Sequence, residues 1–493
     1  MSELENYFDR FRRNVVGYDL EFQTPYGRKP LIYADWIASG RLYGPIEEKL
    51  THSFGPYVGN THSESSVTGT SMTRAYHEAR AIIKRHVNAG PNDVIIAAGS
   101  GMTGVVNKFQ RILGLRVPEL MLPHVSIPEE ARPVIFITHM EHHSNHTSWI
   151  ETVADVEWLA PLPNGECCLE TLDAALRKFG DRPKIGSFTA CSNVTGVRTP
   201  YHKMARIMHE HGGLCFVDFA ASAPYDPIDM HPEDEMERLD AIFFSPHKFL
   251  GGPGSTGVMV FDASLDRNRV PDNSGGGTVD WTNPWGEHQY IANIEDREDG
   301  GTPAFLQTIR AALAVKLKEE IGCDKIRARE DELLERAFEG MTSIPGLVIL
   351  ADHLRDRLGV ISFYMKGIHY NLIVKLLNDR YGVQVRGGCS CAGTYGHYLL
   401  HVDPDHSHRI TDRINSGDLS EKPGWVRLSL HPTMTDEELE IVLEGLAGVA
   451  ENAEAWSQDY RYDPQTNEYV HANEQHPPVE EWFAMAGHQV PIL

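Results

Sequence analysis

Between residues 90 and 260 the chain alternates short apolar runs with stretches of helical spacing, and this pattern restricts the fold more than any other feature. Val94-Ile95-Ile96-Ala97 precedes a helical pattern that opens near Met102, and Val134-Ile135-Phe136-Ile137 precedes a polar turn rich in histidine. Residues 169–179 have helical spacing and lead into Ile185-Gly186-Ser187-Phe188. Residues 201–211 read as a helix before the run Leu214-Cys215-Phe216-Val217. Strand, crossover helix and strand, repeated, predict an α/β fold with a mainly parallel sheet covered by helices. Polar residues gather after the strands, at the edge where open α/β sheets bind ligands.

At 493 residues the chain exceeds one small core, so two domains with extensions are expected. The pattern changes at residue 311, where a long charged helix (312–340) leads to apolar runs at 347–350 and 360–364. A helix near 371–380, a strand at 383–385 and a last helix from Thr435 follow. The expected division is an N-terminal arm (1–30) packing on the small domain, a large domain (31–310), a smaller α+β domain (311–453) and an extension (454–493). That extension reads as an ordered arm or a partly disordered one, and residues 117–132, with their prolines, as a loop insertion.

A net charge of −24 counts against nucleic acid as a partner, because phosphate contacts need clustered cations. No apolar run is long enough to span a membrane, and the acidic amino end lacks a signal-peptide apolar region. Seven cysteines, two of them adjacent at 167 and 168, do not make a disulfide framework, so a reduced, cytoplasmic setting is expected.

The apolar run 241–244 stops at Ser245-Pro246-His247-Lys248, and a glycine-rich turn follows. A buried ammonium at a strand end is costly unless it is neutralised or used. Asp218 ends the preceding apolar run. A lysine and a carboxylate placed this way suit pyridoxal 5'-phosphate. The lysine forms a Schiff base with the aldehyde, and the carboxylate keeps the pyridine nitrogen protonated so that the ring accepts electrons from the substrate α-carbon. Alone, the pair equally describes a surface lysine and a helix N-cap aspartate.

Other segments add to it. Ala98-Gly99-Ser100-Gly101-Met102-Thr103-Gly104 follows a strand and opens a helix, which makes either a phosphate cradle with the Thr103 hydroxyl or simply a tight turn. His142, His143 and His146 in one short span fit a ring stacked on the cofactor, plain surface histidines, or a metal site. Asn193 follows another strand, Ser245 and His247 flank the lysine as phosphate donors, and 273–278 is a flexible, donor-rich loop ending in Thr278. Arg386 stands beside Cys389 and Cys391 on a glycine-rich loop whose composition implies mobility, and a nearby cation would lower a thiol's pKa. Half of a zinc site is the rival reading, but a second cysteine pair at usable spacing is missing. Arg427, inside the strand-like run 425–430, calls for an anion, either a structural carboxylate or that of a substrate.

Taken in order, these segments resemble the class V aminotransferase family of fold-type I pyridoxal phosphate enzymes, nearest its cysteine desulfurase and selenocysteine lyase branch. The resemblance covers 32–450, opening at Tyr33-Ala34-Asp35-Trp36-Ile37-Ala38-Ser39-Gly40 and continuing through Gly59-Asn60-Thr61-His62. It implies Lys248 as the Schiff-base lysine, Asp218 as partner of the pyridine nitrogen and His142 stacked on the ring. Gly101, Met102, Thr103, Ser245 and His247 would hold the phosphate, with Thr278 arriving from the other subunit of a homodimer. Asn193 would lie near the ring oxygen and the substrate carboxylate, Arg427 and Arg386 would bind that carboxylate, and Cys391 would take sulfur. The implied reaction converts L-cysteine to L-alanine, leaves a persulfide on Cys391, and passes sulfur to an acceptor protein; no metal is implied. The sequence departs from the family where Gln or His usually meets the ring's 3'-oxygen: Ala221 stands there, leaving Ser222 or another group as substitute. Cys389 competes with Cys391, and the insertion and tail have no counterpart. Two other readings stay open: a class V C–S lyase, epimerase or aminotransferase for another amino acid, and a non-catalytic sulfur- or metal-binding protein on a relic fold.

Overall fold

The computed structural model describes residues 2–61 and 63–484. His62 and the last residues of the tail, 485–493, lie outside them. Seven strands form one sheet: β1 (Asp93–Ala98), β2 (Val134–Thr138), β3 (Asp155–Leu159), β4 (Lys184–Thr189), β5 (Leu214–Asp218), β6 (Ala241–Phe244) and β7 (Gly257–Asp262). Their spatial order is β1-β7-β6-β5-β4-β2-β3. The strands β2 to β6 run parallel to one another, while β7 is antiparallel to both its neighbours. The parallel strands β2, β4 and β6 are buried end to end, as the continuous apolar runs require of a sheet covered on both faces. β7 and β3 were not legible in the sequence. Between β6 and β7 the chain has no crossover helix, so it doubles back, and Lys248 sits in that reversal.

Register sets the chemistry at the strand ends. Thr189 pairs with Asp218, and Asp218 with Phe243, so the polar residues that follow β4, β5 and β6 emerge side by side. Helix α1 (Met102–Ile112) buries Val105, Val106 and Phe109 on one face of the sheet. The Phe109 ring lies 5.2 Å from Phe216, 5.7 Å from Phe243 and 4.8 Å from Phe261. Such a close-packed aromatic base resists the small shifts that would misplace a catalytic group.

A second, antiparallel sheet follows: β8 (Leu347–Ile349), β9 (Val360–Met365), β10 (Arg386–Gly388) and β11 (Trp425–Ser429), in the order β8-β9-β11-β10. Helices α2 (Tyr370–Tyr381) and α3 (Asp436–Trp456) share its core. Thr435 caps α3 in a reciprocal capping box with Glu438. The amino-terminal segment is stitched to this region: Ile32–Tyr33 pairs in parallel with Val383–Gln384, and Asp35 bridges to Ser429.

The expected single helix over 312–340 is two helices, Phe305–Ile321 and Cys323–Thr342. Gly322 separates them at φ +86°, a left-handed conformation open to glycine, and its N–H closes onto the Lys318 carbonyl. The extension is ordered through a hairpin, Tyr460–Asp463 against Glu468–His471. Asn467 at its tip donates to the Tyr370 hydroxyl, and its carbonyl accepts from Asn371, both at 2.6 Å. Residues 117–132 carry two short 3-10 turns, with Leu120 exposed. No helix among the described residues is long and apolar enough to cross a membrane.

Candidate active site

A cavity of about 290 Å³ opens where the large sheet's strand ends meet the loop after β10. Lys248, Asp218, His142, Asn193, Gly101, Met102, Thr103, Ser245, His247, Arg386, Arg427 and Cys391 all line it. Twelve of the thirteen residues expected from the sequence are thereby brought together. Thr278 is the exception: it is fully buried in its own turn, where its hydroxyl donates to the Gly275 carbonyl at 2.6 Å.

Asp218 is buried and Lys248 half-buried, and desolvation shifts them in opposite senses. Loss of water pulls the Lys248 ammonium down to about 8, against the lifting charge of Asp218, with Arg427 and Arg386 pushing it further down. Burial pushes Asp218 up to about 6, moderated by the Ala220 N–H it accepts at 2.8 Å and by Lys248. His142 is held neutral, its pKa brought down to about 3 by burial and by the cations Lys248 and Arg427 together with His143. Its Nδ1 accepts from the Ser144 N–H at 3.1 Å, so the ring proton belongs on Nε2.

One end of the cavity is built for an anion. The α1 amino terminus and residues 100–104 face it, and the Met102 N–H donates to Ser245 Oγ at 2.8 Å. A Cβ on Gly101 would meet His247 Cε1 at 3.0 Å and Ser245 Oγ at 3.2 Å, so only glycine leaves this cradle open. His247 spends Nδ1 on the Ser100 carbonyl at 3.0 Å. Ser144, which the sequence reading passed over, shares a 2.6 Å hydroxyl contact with Thr103 and also lines the cradle.

The opposite wall comes from the small sheet. Arg427 is 3% exposed; its Nη1 donates to the Asn193 carbonyl at 3.2 Å and its Nη2 to Asp35 at 2.9 Å. Asp35 also accepts from Arg386 Nε at 3.0 Å. Arg427 Nε and Asn193 Oδ1 are buried with no hydrogen-bond partner among the described residues. Buried polar atoms are normally satisfied, so the two mark places where a ligand's polar groups belong. Ser222, offered as the stand-in for Ala221, does not line the cavity, whereas Ala221 itself does.

The thiol loop is held rather than loose. Ser390 and Cys391 have φ of +52° and +55°, and the Ala392 N–H closes the turn onto the Cys389 carbonyl at 3.0 Å. Two non-glycine residues in this region cost on the order of 1–3 kcal/mol each. The turn is tied from outside: the His143 N–H donates to the Cys391 carbonyl at 2.8 Å, Gly393 N–H to His143 Nε2 at 3.1 Å, and Asn193 Nδ2 to the Ser390 carbonyl at 2.8 Å. Cys391 is exposed at the cavity, while Cys389 packs with Met140, Val194, Tyr395 and Trp425 in an apolar cluster. That contrast favours Cys391 as the thiol that meets a ligand.

Glu141 was also missed as a building residue. It accepts from Thr138 Oγ1 and Asn145 Nδ2 at 2.7 Å and from the Thr189 N–H at 2.9 Å, locking the ends of β2 and β4 beside His142. Burial lifts it to about 7. The only sequence signal was an acid directly before a histidine pair.

A lysine and a carboxylate on one cavity, an anion cradle, a neutral imidazole and unpartnered donor and acceptor atoms at Arg427 and Asn193 all fit pyridoxal phosphate. Lys248 would carry it, Asp218 face its ring nitrogen, and the cradle take its phosphate.

Known proteins agree with this geometry. The sequence profile of the family described as Aminotransferase class-V matches residues 32–442. A probable cysteine desulfurase from Staphylococcus epidermidis is 31% identical over 368 residues, 74% of this chain and 84% of that protein. One from Halalkalibacterium halodurans is 28% identical over 371 residues, with the same coverage. Among solved structures, the cysteine desulfurase from Thermococcus onnurineus NA1 superposes with a TM-score of 0.71 at 21% identity, covering 90% of this chain and 98% of that one. A cysteine desulfurase from Escherichia coli gives 0.66 at 20% identity, covering 87% and 97%. Those two likenesses establish the fold. The chain belongs to the class-V aminotransferase family, and with it to the pyridoxal phosphate-dependent enzymes.

Proposed function

We propose that the protein is a cysteine desulfurase, converting L-cysteine to L-alanine and receiving the sulfur on Cys391. The observation that carries this reading is the exposed Cys391 thiol on the same cavity as Lys248 and the buried Asp218, held there by His143 and Asn193. When bound, pyridoxal phosphate supplies an electron sink for the substrate α-carbon.

Arg427, backed by Arg386, takes the substrate carboxylate and fixes the α-carbon's orientation. Lys248, lowered to about 8, has far more neutral amine available near physiological pH than an ordinary lysine, and its Nζ removes the α-proton. Asp218 would face the ring nitrogen of the bound cofactor, where its buried carboxylate would favour a proton on that nitrogen. His142, neutral and fixed in tautomer, would stack on the bound ring without adding a competing cation. The Cys391 thiolate attacks the substrate sulfur; an S–S bond forms as the C–S bond breaks, its electron pair stays with the carbon skeleton, and protonation at Cβ together with return of the proton from Lys248 Nζ to the α-carbon yields alanine.

The seven free cysteines support a reducing, cytoplasmic setting. A homodimer would bring Thr278 of a second copy toward the phosphate, and an acceptor protein would collect the persulfide.

Incubating the holoenzyme with L-cysteine and mapping modified thiols by mass spectrometry tests the reading. Persulfide is expected on Cys391 with stoichiometric alanine. Lys248→Ala should lose both turnover and the visible absorption of the bound cofactor, whereas Cys391→Ser should keep that absorption and lose desulfuration. Normal cysteine turnover by Cys391→Ser would overturn the thiol assignment.

A further inference from the structure

We infer that Ser390 is a substrate-binding residue, its hydroxyl donating a second hydrogen bond, beside that of Arg427, to the substrate carboxylate. The inference rests on the desulfurase reading and deepens it. The family resemblance assigns this donation to Asn193, but the structure ties that amide's nitrogen to the thiol turn. Asn193 Nδ2 donates to the Ser390 carbonyl at 2.8 Å. A carbonyl only accepts, so the amide atom that faces it is the nitrogen. The atom left buried without a partner among the described residues is Oδ1, which itself only accepts. A carboxylate needs donors, and Oδ1 is not one.

Of the hydroxyl side chains that line the cavity, Ser100, Thr103, Ser144 and Ser245 stand at the anion cradle. Thr189 Oγ1 is spent on the Cys191 carbonyl at 2.8 Å. Ser390 remains. It is 8% exposed, and its Oγ is buried with no partner among the described residues. Its carbonyl takes Asn193, and the Asn193 carbonyl takes Arg427 Nη1 at 3.2 Å, so the three residues adjoin along one wall. Arg427 Nε is the other unpartnered donor there. A carboxylate has two oxygens, one for the guanidinium and one for the hydroxyl, and such a ligand satisfies both buried donors. Backbone preference does not account for a serine at this position. At φ +52° glycine or asparagine sits at lower cost.

The test titrates wild-type and variant holoenzyme with L-alanine and with ethylamine, which is L-alanine without its carboxylate, and follows the visible absorption of the bound cofactor. Ser390→Gly relieves the left-handed backbone and Ser390→Ala keeps it, while both delete the hydroxyl. In each variant the Kd for L-alanine should rise by about tenfold or more, the effect of one hydrogen bond to a charged group, and that for ethylamine should stay within about twofold. A residue needed only for the shape of the turn would separate the two variants or weaken both ligands together. An L-alanine affinity that does not move, as when the remaining Asn193 N–H holds the carboxylate, overturns the inference while the desulfurase reading stands. So does an equal loss for ethylamine, or a loss confined to one variant. Alanine formed from L-cysteine is measured alongside, and a wild-type holoenzyme that makes none sinks the desulfurase reading and this substrate contact with it.

Discussion

The two halves of the cavity are built by different means. The cofactor half comes from the carboxyl ends of neighbouring strands in one sheet: the turn after β1, Asp218 at the end of β5, and Ser245 to Lys248 after β6. Each of its groups lies a few residues beyond an apolar run, on a base of close-packed phenylalanines. The substrate half is assembled from segments far apart in the chain: Asp35, Asn193, the turn 389–391 and Arg427. There a strained turn is held by hydrogen bonds from another segment, and two cations are bridged by a carboxylate from the amino-terminal region. Rigid placement suits a cofactor that stays. Placement by a few exchangeable polar bonds suits a half where substrates arrive and sulfur departs.

Mutations should separate the halves. Asp218→Asn strikes the cofactor half, and kcat for every substrate should fall by about 10²–10³, the usual cost of removing one preorganised electrostatic group. An unchanged kcat would show that ring protonation does not depend on this carboxylate.

His143→Ala strikes only the substrate half. It removes the acceptor for the Gly393 N–H and loosens the thiol turn. Persulfide formation should slow by about threefold to tenfold, in line with one net hydrogen bond of 0.5–1.5 kcal/mol. The absorption and affinity of the cofactor should stay as they are. Loss of cofactor binding in that variant would mean the halves are not separable.

The smallest effect is a shift in a pH profile. Attachment of pyridoxal phosphate to the cofactor-free protein needs the neutral Lys248 amine, so its rate should climb with pH and level off above about 8. Asp218 raises that pKa through its negative charge, so Asp218→Asn should move the midpoint to lower pH. A midpoint that rises would contradict the charge coupling.

Much of the cofactor half was legible because its groups follow apolar runs at short, regular distances. The abrupt stop of 241–244 at a lysine and the aspartate ending 214–218 were enough to suggest the chemistry. β7 escaped notice because the glycine-rich reversal hid it from a reading tuned to crossover helices. The helix break at Gly322 was missed since its flanks keep helical spacing on both sides. Arg427 was recognised as needing an anion, yet the structure supplies a residue the reading had left without a role, Asp35, as its permanent partner. The choice between Cys389 and Cys391 was open in the sequence; the structure packs Cys389 against an apolar cluster and sets Cys391 on the cavity, which supports the proposal of Cys391. The glycine and serine of that loop suggested mobility, whereas three hydrogen bonds from His143 and Asn193 hold it.

By itself the sequence determined the layered α/β architecture and the reactive groups of the cofactor half, because periodicity and strand-end position act over a few residues. Tertiary structure alone decided the substrate half: the meeting of Asp35 with two arginines, the anchoring of the thiol turn by a histidine from another segment, and the burial that moves Lys248 and Asp218 toward each other in pKa. Those depend on desolvation and on contacts between residues hundreds of positions apart, and no local pattern encodes how much water or which distant charge a side chain will meet.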